Sequence, residues 1–594
     1  MNRKFLSIVL LITVFAACKK DSVGPQGIKD DGAFNVYEGT FLDGLWKVNP
    51  DWATSVGYHK YDSLLLVPSG KTRDKQLEYY KSNLDSLSHY EIEKLSQSNR
   101  IDYQIMQNEL QYLQWDTELL KEYEWNPTNY NVIGTFAYIL NEHYAPLAKR
   151  LRNFYQKMAN VPEYYKEAEK QIKNPVIELT NLAIDQHLNG VGTFEKDFAD
   201  SLKKSNIPEA EQKQMLDRAA LSATAIRGFA AYLKGMKNDH PRDFRLGQEY
   251  YGDKFKYEIQ SQYTSQQIFN AATERKKFVH HEMAKLSRDL WPKYFGTQTI
   301  PKDSLELISK VIDTIASRHV EAGNFQSSIE QLIPKLTAFV RAKDLVTMDP
   351  SKPLVVRKEP GYMAGSGAGA SMSSPGPYDK TGNSYFNVGR LAGYSPEQAE
   401  SYLREYNNYT LQILCIHEAI PGHYVQLVYA NQSPSLIKSI FGNNTMIEGW
   451  AVYSEQMMLD NGYGDNNPEM KLMWYKWHLR SVCNTILDYS VHASGMTKDQ
   501  AISFLTHEAF QQKTEAENKW KRVTVSSVQL DCYYTGYKEI MDLRELWKKD
   551  QGVNYTLKAF NEKFLSYGSA PVKYIKEAMM KKDTHDSGSS GTGN

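Results

Sequence analysis

Ile413-Leu-Cys-Ile-His417-Glu418-Ala-Ile-Pro421-Gly422-His423-Tyr424 is the stretch whose reading decides the rest of the chain. Two histidines flank a glutamate and a Pro-Gly step. Neutral imidazoles bind zinc, and a neighbouring carboxylate can take a proton from an activated water. The common arrangement, His-Glu-x-x-His, puts both imidazoles on one helix face at i and i+4. Here the second histidine comes at i+6, about 120° away around an unbroken helix. Both rings can reach one ion only if the backbone changes course between them. Pro421 disfavours helical geometry at Ile420, and Gly422 permits dihedrals closed to other residues. The Pro-Gly step therefore predicts a bend that swings His423 back toward His417.

The competing reading is a surface turn that happens to hold two histidines. A further segment weighs against it. Thr445-Met-Ile-Glu448-Gly-Trp-Ala-Val-Tyr-Ser-Glu455 begins downstream, with Glu448 lying 25 residues after His423. Metallopeptidases of the His/His/Glu type take their third ligand from a separate downstream helix. Glu448 and Glu455 are two turns apart and share a face. One can ligate while the other orients a ligand histidine.

Together, His417-Glu-Ala-Ile-Pro-Gly-His423 and Glu448-Gly-Trp-Ala-Val-Tyr-Ser-Glu455 resemble the bacterial family catalogued as domain of unknown function 885 (DUF885), regarded as zinc metallopeptidase-like and related to the gluzincins. Asn49-Pro-x-x-Ala-Thr-x-x-Gly57 and Tyr567-Gly-Ser-Ala-Pro571 resemble its weaker outer landmarks, so the resemblance spans nearly the whole mature chain. It implies zinc as cofactor, His417, His423 and Glu448 as its ligands, and Glu418 as general base. It implies no substrate.

The resemblance extends to two later segments. Asp488-Tyr-Ser-Val-His492-Ala-Ser-Gly495 is similar to a family segment and sets a carboxylate and a histidine at i and i+4, facing each other on a helix. His492 then reads either as an oxyanion-stabilising or substrate-binding group, or as a buried histidine paired with Asp488. Arg522 and Tyr533 match family positions, and an arginine can hold a carboxylate bidentately while a tyrosine can donate to an oxyanion. The family's intervening proline is absent, with Ser526-Ser527 in its place, which leaves Tyr534 as the alternative to Tyr533.

The chain of 594 residues carries 70 Lys plus Arg and 70 Asp plus Glu. A zero formal charge offers no argument for nucleic acid as a partner. At the N-terminus, the basic Asn2-Arg-Lys4 precedes the apolar run Phe5 to Ala17, too short for an ordinary membrane span. Phe15-Ala-Ala-Cys18 resembles a lipobox, which implies residues 1–18 as a signal peptide ending in a lipid-modified Cys18, and Lys19-Lys20 after it suggests the outer membrane. Ordinary cleavage to a soluble periplasmic protein is the alternative. Cys415, Cys483 and Cys532 sit in apolar surroundings and read as free, buried thiols.

Residues 19–33 read as a flexible tether, 34–340 as an N-terminal helical lobe, 341–582 as the metal-binding lobe and 583–594 as a disordered tail. Apolar residues recur at helical spacing through most of the first lobe. Pro353–Arg357 and Ser384–Val388 read as strands. The Gly/Ala/Ser-rich run between them reads equally as a strand edge with a lid or as a surface loop. One helix is expected to run from Ser395 through Tyr402, Tyr406 and Tyr409 to His417. The fold expected is mainly α: two helical lobes around a deep cleft, with a small β-sheet next to a zinc-binding helix, as in gluzincins.

The function expected is zinc-dependent hydrolysis of peptide bonds in short peptides, by a lipid-anchored protein of the cell envelope. Two alternatives stand beside it: a zinc amidase acting on another amide such as a cell-wall peptide, and a non-catalytic lipoprotein that binds glycans or nutrients at the outer membrane. Nothing in the sequence sets the oligomeric state.

Overall fold

The computed structural model describes residues 31–349, 351–359, 370–379, 383–389, 391 and 394–580. Cys18 and the expected signal peptide, most of the expected tether, the expected tail and the glycine-rich run at 361–369 lie outside the described residues. The fold is mainly helical with one small sheet. No described helix is long and apolar enough to cross a membrane.

The first helix, Asp31–Val48, takes in residues that read as tether from the sequence. Asp31 anchors it, accepting from Ser96 N at 2.9 Å and from Asn99 Nδ2 at 3.0 Å. Longer helices start where the sequence supplies caps. Thr264 and Gln267 form a capping box for Ser265–Phe295, and Asn467 caps Pro468–Ser494. These two long helices pack side by side.

That packing divides the molecule differently from a boundary at residue 340. One apolar cluster, including Phe136, Phe154, Phe194 and Phe198, is built from Leu65 and residues 130–233. The other is continuous from Phe34 to Met579 and contains the helices that carry the candidate ligands. Residues from both ends of the chain therefore share the core that holds the site.

The sheet has the order β1-β3-β2, with β1 Leu354–Lys358, β2 Ala370–Ser373 and β3 Ser384–Val388. β1 runs parallel to β3 and β2 antiparallel to it. The strand expected at Ser384–Val388 is thus the central one. The edge strand β2 packs on the helix that carries His417.

The single helix expected from Ser395 to His417 is two helices, Pro396–Glu405 and Thr410–Glu418. Asn407 breaks it. Its Oδ1 accepts from the backbone N–H groups of Tyr409 and Thr410, and its Nδ2 donates to Arg404 O. A short amide side chain that bonds the local backbone competes with the helix ladder.

Candidate metal centre

The helix Thr410–Glu418 stops at the glutamate, and His423–Gln432 starts at the second histidine. The Ile420-Pro421 peptide between them is cis. Gly422 N donates to Ile416 O at 3.0 Å, folding the turn back on the helix it has just left. A Cβ at Gly422 would sit 1.9 Å from His417 O and 2.4 Å from Ile416 O, so only glycine fits. Its φ is −69°. Close backbone approach, not a left-handed φ, is what requires it. Trp450 Nε1 donates to Pro421 O at 2.9 Å and ties this turn to the helix Asn444–Asp460.

The bend brings the rings together. The imidazoles of His417 and His423 lie 4.8 Å apart, nearly perpendicular at 89°. Glu448 Oε2 lies 3.6 Å from His417 Nε2 and 3.4 Å from His423 Nε2. One ligand atom from each of the three residues falls within 4.8 Å of the others. Zinc bonds of 2.0–2.2 Å in a tetrahedron place neighbouring donors about 3.4 Å apart. A charge-assisted N–H···O bond would be about 2.7–2.9 Å. Glu448 Oε2 is buried and has no hydrogen-bond partner. These donors fit a divalent cation between them better than they fit each other.

Glu455, buried two turns along from Glu448, lies 2.7 Å from His417 Nδ1. Trp477 Nε1 donates to the same carboxylate oxygen at 3.0 Å. That oxygen is therefore an acceptor, and the proton on the imidazole side belongs to His417 Nδ1. His417 Nε2 is left facing Glu448, as the ring atom available to a metal. His423 Nδ1 has no such partner.

The local field favours positive charge. Burial pulls His417 down, but the carboxylates of Glu448 and Glu455 outweigh it and push the ring up to about 10. Burial raises Glu448, yet His423 and His417 overcome it and hold the carboxyl far below its ordinary range. Glu418, last residue of its helix, is raised by burial, as is Glu455. The buried carboxylates of Glu418 and Glu455 and the half-buried one of Glu448, set around two imidazoles, suit a divalent cation.

Tyr533 joins this centre through a close helix pair. A Cβ on Gly449 would meet Gly536 Cα at 2.4 Å, and one on Gly536 would meet Thr445 O at 1.8 Å. Only paired glycines let the helix Cys532–Gln551 lie this close to the Glu448 helix. The Tyr533 hydroxyl accepts from Arg522 Nη2 at 3.2 Å, and burial with the nearby Glu448 charge pushes its pKa up to about 12. Tyr534 instead donates to Ala271 O at 3.1 Å, on another helix. Of the two tyrosines, Tyr533 keeps company with Arg522 and Glu448.

Asp488 and His492 do not pair with each other as their spacing predicts. Asp488 accepts from Val528 N at 2.9 Å and Leu530 N at 3.1 Å. His492 Nε2–H points at the carbonyls of Val523 and Ser526, at 2.8 and 3.0 Å. Both grip the turn at 523–530, where Val528 adopts a φ of 69°. An otherwise unpaired backbone exerts a stronger demand than an i,i+4 neighbour does. Neither side chain is a direct neighbour of the ligand trio; they hold the segment joining Arg522 to Tyr533.

Trp477 and Arg480 belong to the surroundings of the site without any motif to mark them. Trp477 holds Glu455, and Arg480 stacks over Trp477 with its guanidinium 5.4 Å from the ring centre. Their i,i+3 spacing on the helix Pro468–Ser494 is the only signal that links them.

The family described as "Bacterial protein of unknown function (DUF885)" matches residues 50–579. A solved structure of a candidate lipoprotein of unknown function from Shewanella oneidensis is 47% identical, covers 92% of this chain and 100% of its own, and superposes with a TM-score of 0.84. A second, from Colwellia psychrerythraea and again described as a candidate lipoprotein, is 15% identical, covers 92% of this chain and 98% of its own, and has a TM-score of 0.75, a likeness of fold alone. No curated protein matches the chain. With a family match that runs from the second helix to the last described one, the chain belongs to the bacterial DUF885 family.

Proposed function

We propose that this protein is a zinc-dependent hydrolase of peptide bonds in short peptides, lipid-anchored through Cys18 in the bacterial cell envelope, at the outer membrane. The observation that carries the activity is the donor set: His417, His423 and Glu448 at metal-ligand separations, with Glu455 fixing the His417 tautomer. A bound zinc ion would supply Lewis acidity to a water and to the scissile carbonyl. Glu418 follows His417 at the end of the same helix, and its burial raises its affinity for a proton. It takes the proton of the attacking water and passes it to the leaving amine. The Tyr533 hydroxyl already accepts from Arg522, so its own proton is free to donate to the developing oxyanion. Asp488 and His492 fix the turn that positions this pair. The anchor rests on the lipobox-like sequence and on the description of both structural relatives as candidate lipoproteins.

That envelope location also favours a second reading, an amidase acting on cell-wall peptides. A peptide library set beside peptidoglycan fragments separates the two by product analysis. Both require one zinc per chain, measured by elemental mass spectrometry on the purified protein. Absence of stoichiometric metal would defeat both and leave a non-catalytic, glycan- or nutrient-binding lipoprotein.

A further inference from the structure

The helix Lys513–Val525 presents Glu515, Lys519 and Arg522 on one face, at i, i+4 and i+7. Arg480 reaches that face from the neighbouring long helix, its Nη2 2.6 Å from Glu515 Oε1. Its buried Nη1 has no hydrogen-bond partner and stands 3.7 Å from Glu405 Oε1. Glu405 is already engaged by Lys476 Nζ at 2.7 Å. Among the described residues Arg522 donates to neutral groups, Gln529 Oε1 at 2.6 Å and the Tyr533 hydroxyl. Lys519 is 3% exposed and makes no hydrogen bond or ion pair with a described residue. Among the described residues four basic side chains (Lys476, Arg480, Lys519, Arg522) thus share two carboxylates (Glu405, Glu515), and Lys519 and Arg522 form an ion pair with neither.

A buried cation without a partner is costly, and its pKa falls to relieve the cost. Burial, together with the Arg480 and Arg522 charges, holds Lys519 well below the ordinary lysine range. An arriving anion would restore the missing charge. The cluster stands directly beside the candidate metal centre. Tyr533 touches Arg522 and feels Glu448; Trp477 touches Arg480 and holds Glu455.

We infer that Lys519, Arg522 and Arg480 form a carboxylate-binding subsite, one side chain away from the metal centre, which holds the free C-terminal carboxylate of a short peptide. The role in substrate binding rests on the peptidase reading above. It makes the enzyme a carboxypeptidase-type exopeptidase, cleaving close to the C-terminus, and Lys519 a residue that determines its specificity.

The test is calorimetric binding to the zinc-loaded Glu418→Gln protein, which binds without turnover. Three peptides are compared: N-acetyl-Phe-Gly-Leu with a free carboxylate, its C-terminal amide, and the same amide with Glu replacing Leu. The free acid is expected to bind roughly 10- to 100-fold more tightly than the amide, the range for hydrogen bonds to charged groups. Lys519→Met and Arg522→Gln, each added to that protein, should erase most of the difference. Lys519→Met should also melt no lower than its parent, since it removes a buried amine that has no partner among the described residues, so loss of discrimination cannot be blamed on unfolding. Equal binding of acid and amide, weak binding of all three, or full discrimination in Lys519→Met overturns the subsite. Tight binding of the Glu-containing amide assigns the subsite to an acidic side chain and overturns the C-terminal assignment. The two readings fail separately. A wild-type enzyme that hydrolyses acid and amide alike keeps the peptidase and loses the subsite. Binding that discriminates, with no hydrolysis by wild type, does the reverse.

Discussion

Two groups of carboxylates lie in this molecule, one largely buried and one half-buried, and they solve the same problem differently. At the candidate metal centre Glu418, Glu448 and Glu455 face two imidazoles. In the other group Glu109, Asp116, Glu122 and Glu258 gather from three helices and a turn around Lys254 and Tyr112. Lys254 Nζ is 3.4 Å from Glu122 Oε1 and 3.5 Å from Glu258 Oε1, and Tyr112 donates to Glu258 at 2.8 Å. There the acids mostly face one another. Burial and the Glu258 charge push Glu109 up to about 7, and burial with Glu122 does the same to Asp116. At the metal centre Glu448 is driven the other way by His423 and His417. Crowded acids with one lysine keep protons; crowded acids facing imidazole nitrogens at 3.4–3.6 Å call for a cation. Among the described residues the trio of His417, His423 and Glu448 is the group with ligand atoms close enough to hold a metal.

The largest expected effects separate the two groups. Wild type is expected to carry one zinc per chain; His423→Ala and Glu448→Ala should lose it, whereas Glu258→Gln should keep it, and elemental analysis reads all four proteins. Metal retained in His423→Ala would mean that the bend does not deliver a ligand. Glu418→Gln should keep its zinc and lose peptide hydrolysis by about 10²- to 10⁴-fold, the usual worth of a general base. A Glu418→Gln enzyme with near-normal turnover would remove that residue from the mechanism. Glu455→Gln should weaken zinc binding by about 10- to 100-fold, as loss of a histidine-orienting carboxylate does. Competition with a chelator measures it, and an unchanged affinity would reduce Glu455 to packing.

The two groups also differ in how far the sequence announces them. His417, Glu418 and His423 fall within seven residues, and Glu448 and Glu455 lie on one helix face, so periodicity and ligand chemistry were enough to bring them together. The acidic cluster draws on residues 109 to 258, whose approach depends on how helices dock, and no local pattern encodes that. Lys519 and Arg480 were invisible for the same reason. Local rules misled in two places. Spacing alone paired Asp488 with His492, whereas each serves the backbone of the turn at 523–530. Apolar periodicity carried one helix through Asn407, whose side chain ends it. In both, a hydrogen-bonding demand of the main chain outweighed a side-chain pattern. The helical character and two of the three strands followed from composition and β-branching, because those signals are local. The division of the core did not, since the first helices pack with the last.

The smallest effect tests the proton-holding side of the contrast. Glu109 binds its proton more tightly in the folded protein, with a pKa of about 7 against an ordinary 4.5. Its contribution to stability is therefore complete below about pH 4.5 and is lost as the pH rises through 7. The full shift corresponds to about 3 kcal/mol, and the solvent contact its side chain retains cuts this to about 1–2 kcal/mol. Glu109→Gln stays neutral at every pH. Its melting temperature should match wild type near pH 4.5, rise above it between pH 5 and 7, and keep a constant lead beyond. Thermal melts across that range read the difference directly. A gap that does not change with pH would mean that Glu109 is ionised throughout, with its charge met by Lys254 or by water. The two carboxylate groups would then differ in geometry but not in how they handle charge.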